Sequence, residues 1–73
     1  MDDRETAWWA IHAALPPGWR VGPETFDPAT QTWEVAARSP LPTGRRGQPA
    51  YVIGRGATEL DAVRDLVRRL TER

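Results

Sequence analysis

The absence of cysteine is the feature that most limits what this chain of 73 residues can fold into. Without thiols, neither a disulfide nor a thiolate zinc site can hold the fold together, so packing alone must do so. A domain of this size buries only about 60% of the surface that its unfolded chain exposes. Four tryptophans, one phenylalanine and one tyrosine supply large core side chains, since each aromatic buries roughly 150–250 Å². The length predicts one domain over residues 1–73.

Charge and composition argue against several functional classes. Ten acidic and ten basic residues give a formal net charge of zero, which argues against a strongly basic nucleic-acid module. Every basic residue is an arginine, and the abundance of Ala, Gly and Pro indicates GC-rich codon use, so we expect a bacterial origin. No apolar run approaches the roughly 20 residues of a membrane span, and the acidic start is unlike a signal peptide. We therefore expect a complete, cytoplasmic small protein with no membrane association.

Two segments have the pattern of amphipathic helices. Asp2 and Glu5 have the spacing of a capping box, and the helix that they begin should end at Pro16-Pro17-Gly18. Thr58 should cap the second helix, with Asp61 three residues later. Apolar residues recur at helical spacing in both segments: Ala7, Trp8, Ile11, Ala14 and Leu15 in the first, and Leu60, Val63, Leu66, Val67 and Leu70 in the second.

Three strands are predicted between the helices. Residues 19–26 read as a strand that Gly22-Pro23 interrupts, as a bulge or an edge position would explain. After a turn, residues 32–38 alternate between apolar and polar side chains. Residues 39–49 are predicted to form a loop, and residues 50–54 a short third strand.

This order predicts a two-layer α+β sandwich, α-β-β-β-α, with a three-stranded antiparallel sheet and two helices on one face. The expected outer face of the sheet carries Thr32, Glu34, Ala36, Arg38 and Val52. The predicted core comprises Trp8, Ile11, Leu15, Val21, Trp33, Val35, Tyr51, Ile53, Leu60, Val63, Val67 and Leu70.

The element order and two short motifs resemble the double-stranded-RNA-binding domain fold. Gly22-Pro23 is similar to the Gly-Pro at the end of that family's first strand, and Gly54-Arg55-Gly56-Ala57-Thr58 to its glycine-rich lead into a capped helix. The resemblance implies the α-β-β-β-α fold and double-stranded RNA as a ligand. The family's RNA-contacting lysines are absent, because Glu59, Leu60 and Val63 occupy those positions. Nucleic-acid binding is therefore disfavoured.

A shorter motif, Thr58-Glu59-Leu60-Asp61-Ala62, resembles the strand–Gly–Thr–helix segment of the HicB-like antitoxin family. This resemblance implies an antitoxin-like regulatory subunit as a further alternative. It depends on a capped amphipathic helix, which unrelated proteins also contain.

No catalytic, cofactor-binding or metal-binding site is predicted. His12 and Ser39 are the only residues of their kinds, and a nucleophile–base pair would require them to meet. Gly54-Arg55-Gly56 before a helix could hold an anion on backbone N–H groups. Glu59 and Asp61 would repel a phosphate there, so we expect a tight strand-to-helix turn instead.

Two sets of residues are candidate contacts. Arg45 and Arg46, with Arg38 and Arg55, form a basic patch that could meet phosphate or an acidic partner. Trp9 lies beside the apolar stripe of the first helix, where an exposed tryptophan would mark an interface. We therefore predict a non-enzymatic protein-interaction or regulatory module that binds a protein partner or forms a homodimer. The alternatives are a double-stranded-RNA-binding domain and an antitoxin-like subunit.

Overall fold

The computed structural model describes residues 2–42 and 49–72 and has the predicted α+β class. Two helices pack against one face of an open antiparallel sheet of four strands. The elements are α1 (Asp3–Ala14), β1 (Arg20–Val21), β2 (Thr25–Asp27), β3 (Thr32–Pro42), β4 (Pro49–Gly56) and α2 (Glu59–Thr71). Residues predicted as a loop between the last two strands belong in part to β3 and β4, which are longer than expected.

Strand β3 is the centre of the sheet. β4 pairs with it along one edge, so β1 and β2 lie along the other. The predicted interrupted strand is therefore two short strands on one edge. Val21 at the end of β1 pairs with Ala37, and Thr25 at the start of β2 pairs with Glu34. Three residues, 22–24, lie between Val21 and Thr25, but only two, 35–36, lie between their partners on β3. This extra residue is the bulge that Gly22-Pro23 predicted.

Both helices begin where the capping residues predicted. The side chain of Asp2 accepts a hydrogen bond of 2.8 Å from the Glu5 N–H, and Thr58 Oγ1 accepts one of 3.1 Å from Asp61. After α1 the chain makes a tight turn in which the Trp19 N–H donates to the Pro16 carbonyl at 3.1 Å. Gly18 supplies the positive φ of 81° that this turn requires.

The core lies between the helices and the inner face of β3. Its most buried large side chains are Ile11 from α1, Val35 from β3, and Val63 and Leu66 from α2. Tryptophans lie at its margin rather than its centre, with Trp8, Trp19 and Trp33 partly buried against it. Among the described side chains, the remaining buried apolar residues are Ala7, Ala37, Ala62 and Leu70.

The predicted orientation of β4 is wrong by one residue. Gly54 lies opposite the buried Val35, so Gly54 and Val52 face the helices. Tyr51 and Ile53 consequently lie on the helix-free face of the sheet, here called the outer face. Tyr51, predicted in the core, is 55% exposed.

The close approach of α2 explains this orientation. A Cβ atom on Gly54 would lie 2.4 Å from both the Ala62 carbonyl oxygen and the Leu66 nitrogen. One on Gly56 would lie 2.4 Å from the Cβ of Asp61. At these two positions β4 therefore lies directly against α2, and neither position has room for a larger side chain.

Asp65 joins α2 to the free edge of β4. Its carboxylate accepts hydrogen bonds of 2.9 Å from the Arg55 backbone N–H and from Arg69 Nε, and another from Arg68. Burial alone would raise the pKa of Asp65, but these hydrogen bonds outweigh it and lower the pKa from 3.8 to about 2. The carboxylate also occupies an edge N–H that could otherwise pair with another chain.

Gly54→Ala should destabilise the domain by roughly 3 kcal/mol or more, because its methyl group would overlap the backbone of α2. Gly22→Ala is the matched control, since a Cβ there meets only the Ala36 oxygen at 3.9 Å. Urea denaturation of both variants measures the difference. Similar unfolding free energies for the two would contradict the proposed close contact.

Asp65→Asn should cost on the order of 2 kcal/mol at pH 7. The carboxylate has a lower pKa in the folded state than in the unfolded state, so its contribution is present above about pH 4 and lost as the pH falls towards 2. The wild type should therefore lose more stability than Asp65→Asn between pH 5 and pH 2. Glu72→Gln, which removes an exposed partner of Arg68 at the C-terminal cap of α2, should keep the wild-type slope. Parallel pH profiles for wild type and Asp65→Asn would refute this account.

Candidate functional site

One side of α1 carries an exposed aromatic surface, here called the α1 face: Glu5, Trp8, Trp9 and His12. Their spacing of three, four and seven residues places them on one side of the helix. They line an open groove of about 580 Å³ together with Arg4. Trp9 is 64% exposed, whereas Trp8 is half-buried and packs against the core. The α1 face thus begins at the margin of the core and extends into solvent.

The side chains around the groove are held by neighbouring contacts. The rings of Trp9 and His12 meet edge to face, with centroids 6.3 Å apart and an angle of 66° between their planes. Arg4, at the end of the groove, lies 3.2 Å from Glu24 and 3.1 Å from Glu59. Two carboxylates therefore balance the charge of Arg4 beside the two tryptophans. The sequence singled out Trp9 but not the groove beside it.

A second groove lies on the outer face of the sheet. Arg20 is directly opposite Arg38 on β3, and Arg38 is opposite Tyr51 on β4, so these three residues form one row across the sheet. With Gly22 and Ala36 they line a groove of about 230 Å³, here called the arginine groove. The sequence predicted Arg38 as a contact but missed Arg20 and Tyr51. The bulge at residues 22–24 was the available signal, because it sets which residue lies opposite Arg38.

The predicted basic patch is only partly present in the described residues. Arg45 and Arg46 lie outside them. Arg55 lies on the outer face, but its Nε donates a hydrogen bond of 3.1 Å to Glu34, which balances its charge. Arg38 is therefore grouped with Arg20 rather than with Arg55.

The remaining candidates have structural roles. Ser39 is 4% exposed and its Oγ accepts a hydrogen bond of 2.9 Å from the Ala50 N–H, where the β3–β4 pairing is irregular. Gly54 and Gly56 serve the contact with α2, and the Arg55 N–H between them donates to Asp65, so these groups do not form an anion cradle.

Comparison with protein-family models, with curated proteins and with solved structures found no match for this chain. Within residues 2–42 and 49–72, no cluster of His, Asp and Glu could hold a metal ion. In the same part of the chain, neither helix is long and apolar enough to cross a membrane. Function therefore has to be inferred from the α1 face and the arginine groove.

Proposed function

We propose that this chain is a non-enzymatic protein-interaction module that associates with a second copy of itself through the α1 face. The observation that carries the proposal is Trp9, 64% exposed beside an aromatic groove. Tryptophan is enriched among the residues that dominate binding energy at protein interfaces. The zero net charge also removes overall repulsion between copies.

The α1 face is complementary to itself under two-fold symmetry. Glu5, Trp8, Trp9 and His12 are arranged symmetrically about a point between the two tryptophans. If two copies of α1 pack antiparallel about that point, Trp8 of each copy meets Trp9 of the other. Glu5 then meets His12, and its carboxylate can accept a hydrogen bond from the imidazole N–H. A two-fold interface uses one patch twice, which this arrangement satisfies.

The size of the surface predicts weak association. A helix of 12 residues is about 18 Å long, and a stable interface buries about 800 Å² on each partner. One side of α1 offers less than that, so the dimer belongs with the small, transient interfaces. We expect dissociation in the micromolar range or weaker.

Trp9→Ala should weaken self-association at least about tenfold, since central tryptophans are frequent binding hot spots. Sedimentation or light scattering from micromolar to millimolar protein measures the effect. Phe26→Ala is the control, because it removes another exposed aromatic outside the α1 face, 47% exposed and in tilted contact with the Trp33 ring. Circular dichroism verifies that each variant is folded. A wild type that is monomeric throughout this range, or a Trp9→Ala variant that dimerises like it, would refute the proposal.

The antiparallel arrangement can be tested separately, because the chain contains no cysteine of its own. Glu5→Cys and His12→Cys are prepared as single variants and oxidised alone or as an equal mixture. Antiparallel packing brings position 5 of one copy to position 12 of the other and leaves one Glu5–His12 contact intact. The mixture should therefore give mainly the mixed disulfide dimer, identified by its mass. Efficient linkage within either variant alone would indicate a parallel arrangement and reject the antiparallel one.

RNA binding and antitoxin-like regulation remain predictions from the sequence. The start of α2, where the double-stranded-RNA-binding family has its lysines, presents Glu59, whose carboxylate pairs with Arg4 at 3.1 Å. An acidic residue at that position does not favour contact with a phosphate backbone.

A further inference from the structure

The arginine groove contains two like charges on directly paired residues. Arg20 and Arg38 are direct cross-strand neighbours on the outer face, where side chains lie about 4.5–5.5 Å apart at Cβ. Like charges in this arrangement are destabilising. The bulge between β1 and β2 sets the pairing of β1 with β3, and this pairing places Arg20 opposite Arg38.

The surroundings do not balance these two charges. The nearest acid in the cross-strand rows of the outer face, Glu34, is engaged by Arg55 at 3.1 Å. Within residues 2–42 and 49–72, Arg20 and Arg38 form no ion pair. The outer face therefore carries two uncompensated positive charges side by side, both on exposed residues.

The shape of the groove limits what can enter it. Gly22 and Ala36, the small residues of the neighbouring row, line it together with Val21 and Tyr51. Its volume of about 230 Å³ is below the roughly 300–1,000 Å³ of pockets for drug-sized ligands. A single anionic group with a small attached ring matches this size.

We propose that the arginine groove binds a phosphate monoester, with its phosphate between the guanidinium groups of Arg20 and Arg38. Guanidinium groups donate paired hydrogen bonds that match phosphate oxygens. A monoester carries a charge near −2 at neutral pH, which balances two arginines, whereas a nucleic-acid phosphodiester carries only −1. The ring of Tyr51 favours a monoester with an aromatic substituent.

This site is independent of the proposed self-association. The arginine groove lies on the helix-free face of the sheet, whereas the α1 face belongs to the helical layer. Loss of one function therefore leaves the other testable in the same protein.

The test is a two-dimensional amide NMR titration of the full chain at low salt and pH 7.5, with phenyl phosphate and with inorganic phosphate. We expect saturable shifts in the millimolar range, centred on Arg20, Gly22, Arg38 and Tyr51, with phenyl phosphate the tighter ligand. Arg20→Gln and Arg38→Gln should each weaken binding at least about fivefold. Arg64→Gln, which removes an exposed arginine from α2, should not.

A charge-neutral variant separates shape from general electrostatic attraction. Ala36→Val adds two methyl groups to the lining of the groove without changing any charge, and it should also weaken phenyl phosphate binding. The proposal is overturned by non-saturating shifts, by equal affinity of wild type and Arg20→Gln, or by unchanged binding in Ala36→Val. It is likewise overturned if dimethyl phosphate, a diester, or a short RNA duplex binds the groove more tightly than phenyl phosphate, which would assign it to nucleic acid.

Discussion

The backbone of α2 lies directly against β4 at Gly54, and the rest of the fold depends on that contact. Because a Cβ at this position would overlap Ala62 and Leu66, the helix and strand approach more closely than any larger residue would permit. With the helix this close, the aliphatic side chains of Val35, Val63 and Leu66 are fully buried in the core. A core closed in this way has no central place for tryptophan, so the large aromatics lie at its margin or in solvent.

The parts of the fold that depend on neighbouring residues could be read from the sequence. Asp2 and Thr58 fix the helix starts by hydrogen bonds within three residues, and helical periodicity identified Ile11 and Val63 as core. The orientation of β4 could not be read in this way. Alternation favours the bulky Tyr51 and Ile53 as inward residues, but the inward positions are set by contact with Ala62 and Leu66 of α2, eight and twelve residues beyond Gly54. Where two backbones meet, glycine rather than the largest side chain marks the buried face.

The arginine groove is a second feature that the sequence could not predict, because it depends on how the strands pair. Gly22-Pro23 predicted an irregular strand, and the structure contains the bulge. Only the paired structure, however, shows that the bulge brings Arg20 opposite Arg38. A shift of one residue would have placed a different side chain opposite Arg38 and turned Arg20 to the other face of the sheet. The sequence indicated instead the adjacent arginines Arg45 and Arg46, because residues that are neighbours in the chain can be identified without knowing how the strands pair.

The two candidate surfaces lie on opposite layers of the domain, and this separation has a consequence for assembly. Two copies joined through the α1 face would have their helices inside and their sheets outside. Both outer faces, each with Arg20 and Arg38, would then remain open to solvent at the far sides of the dimer. Asp65 acts against a different mode of assembly, because its carboxylate occupies the Arg55 N–H at the edge of β4 and shortens the stretch on which another strand could pair. The proposed packing at the helices is therefore compatible with this protected sheet edge, and the proposed dimer would leave both arginine grooves accessible.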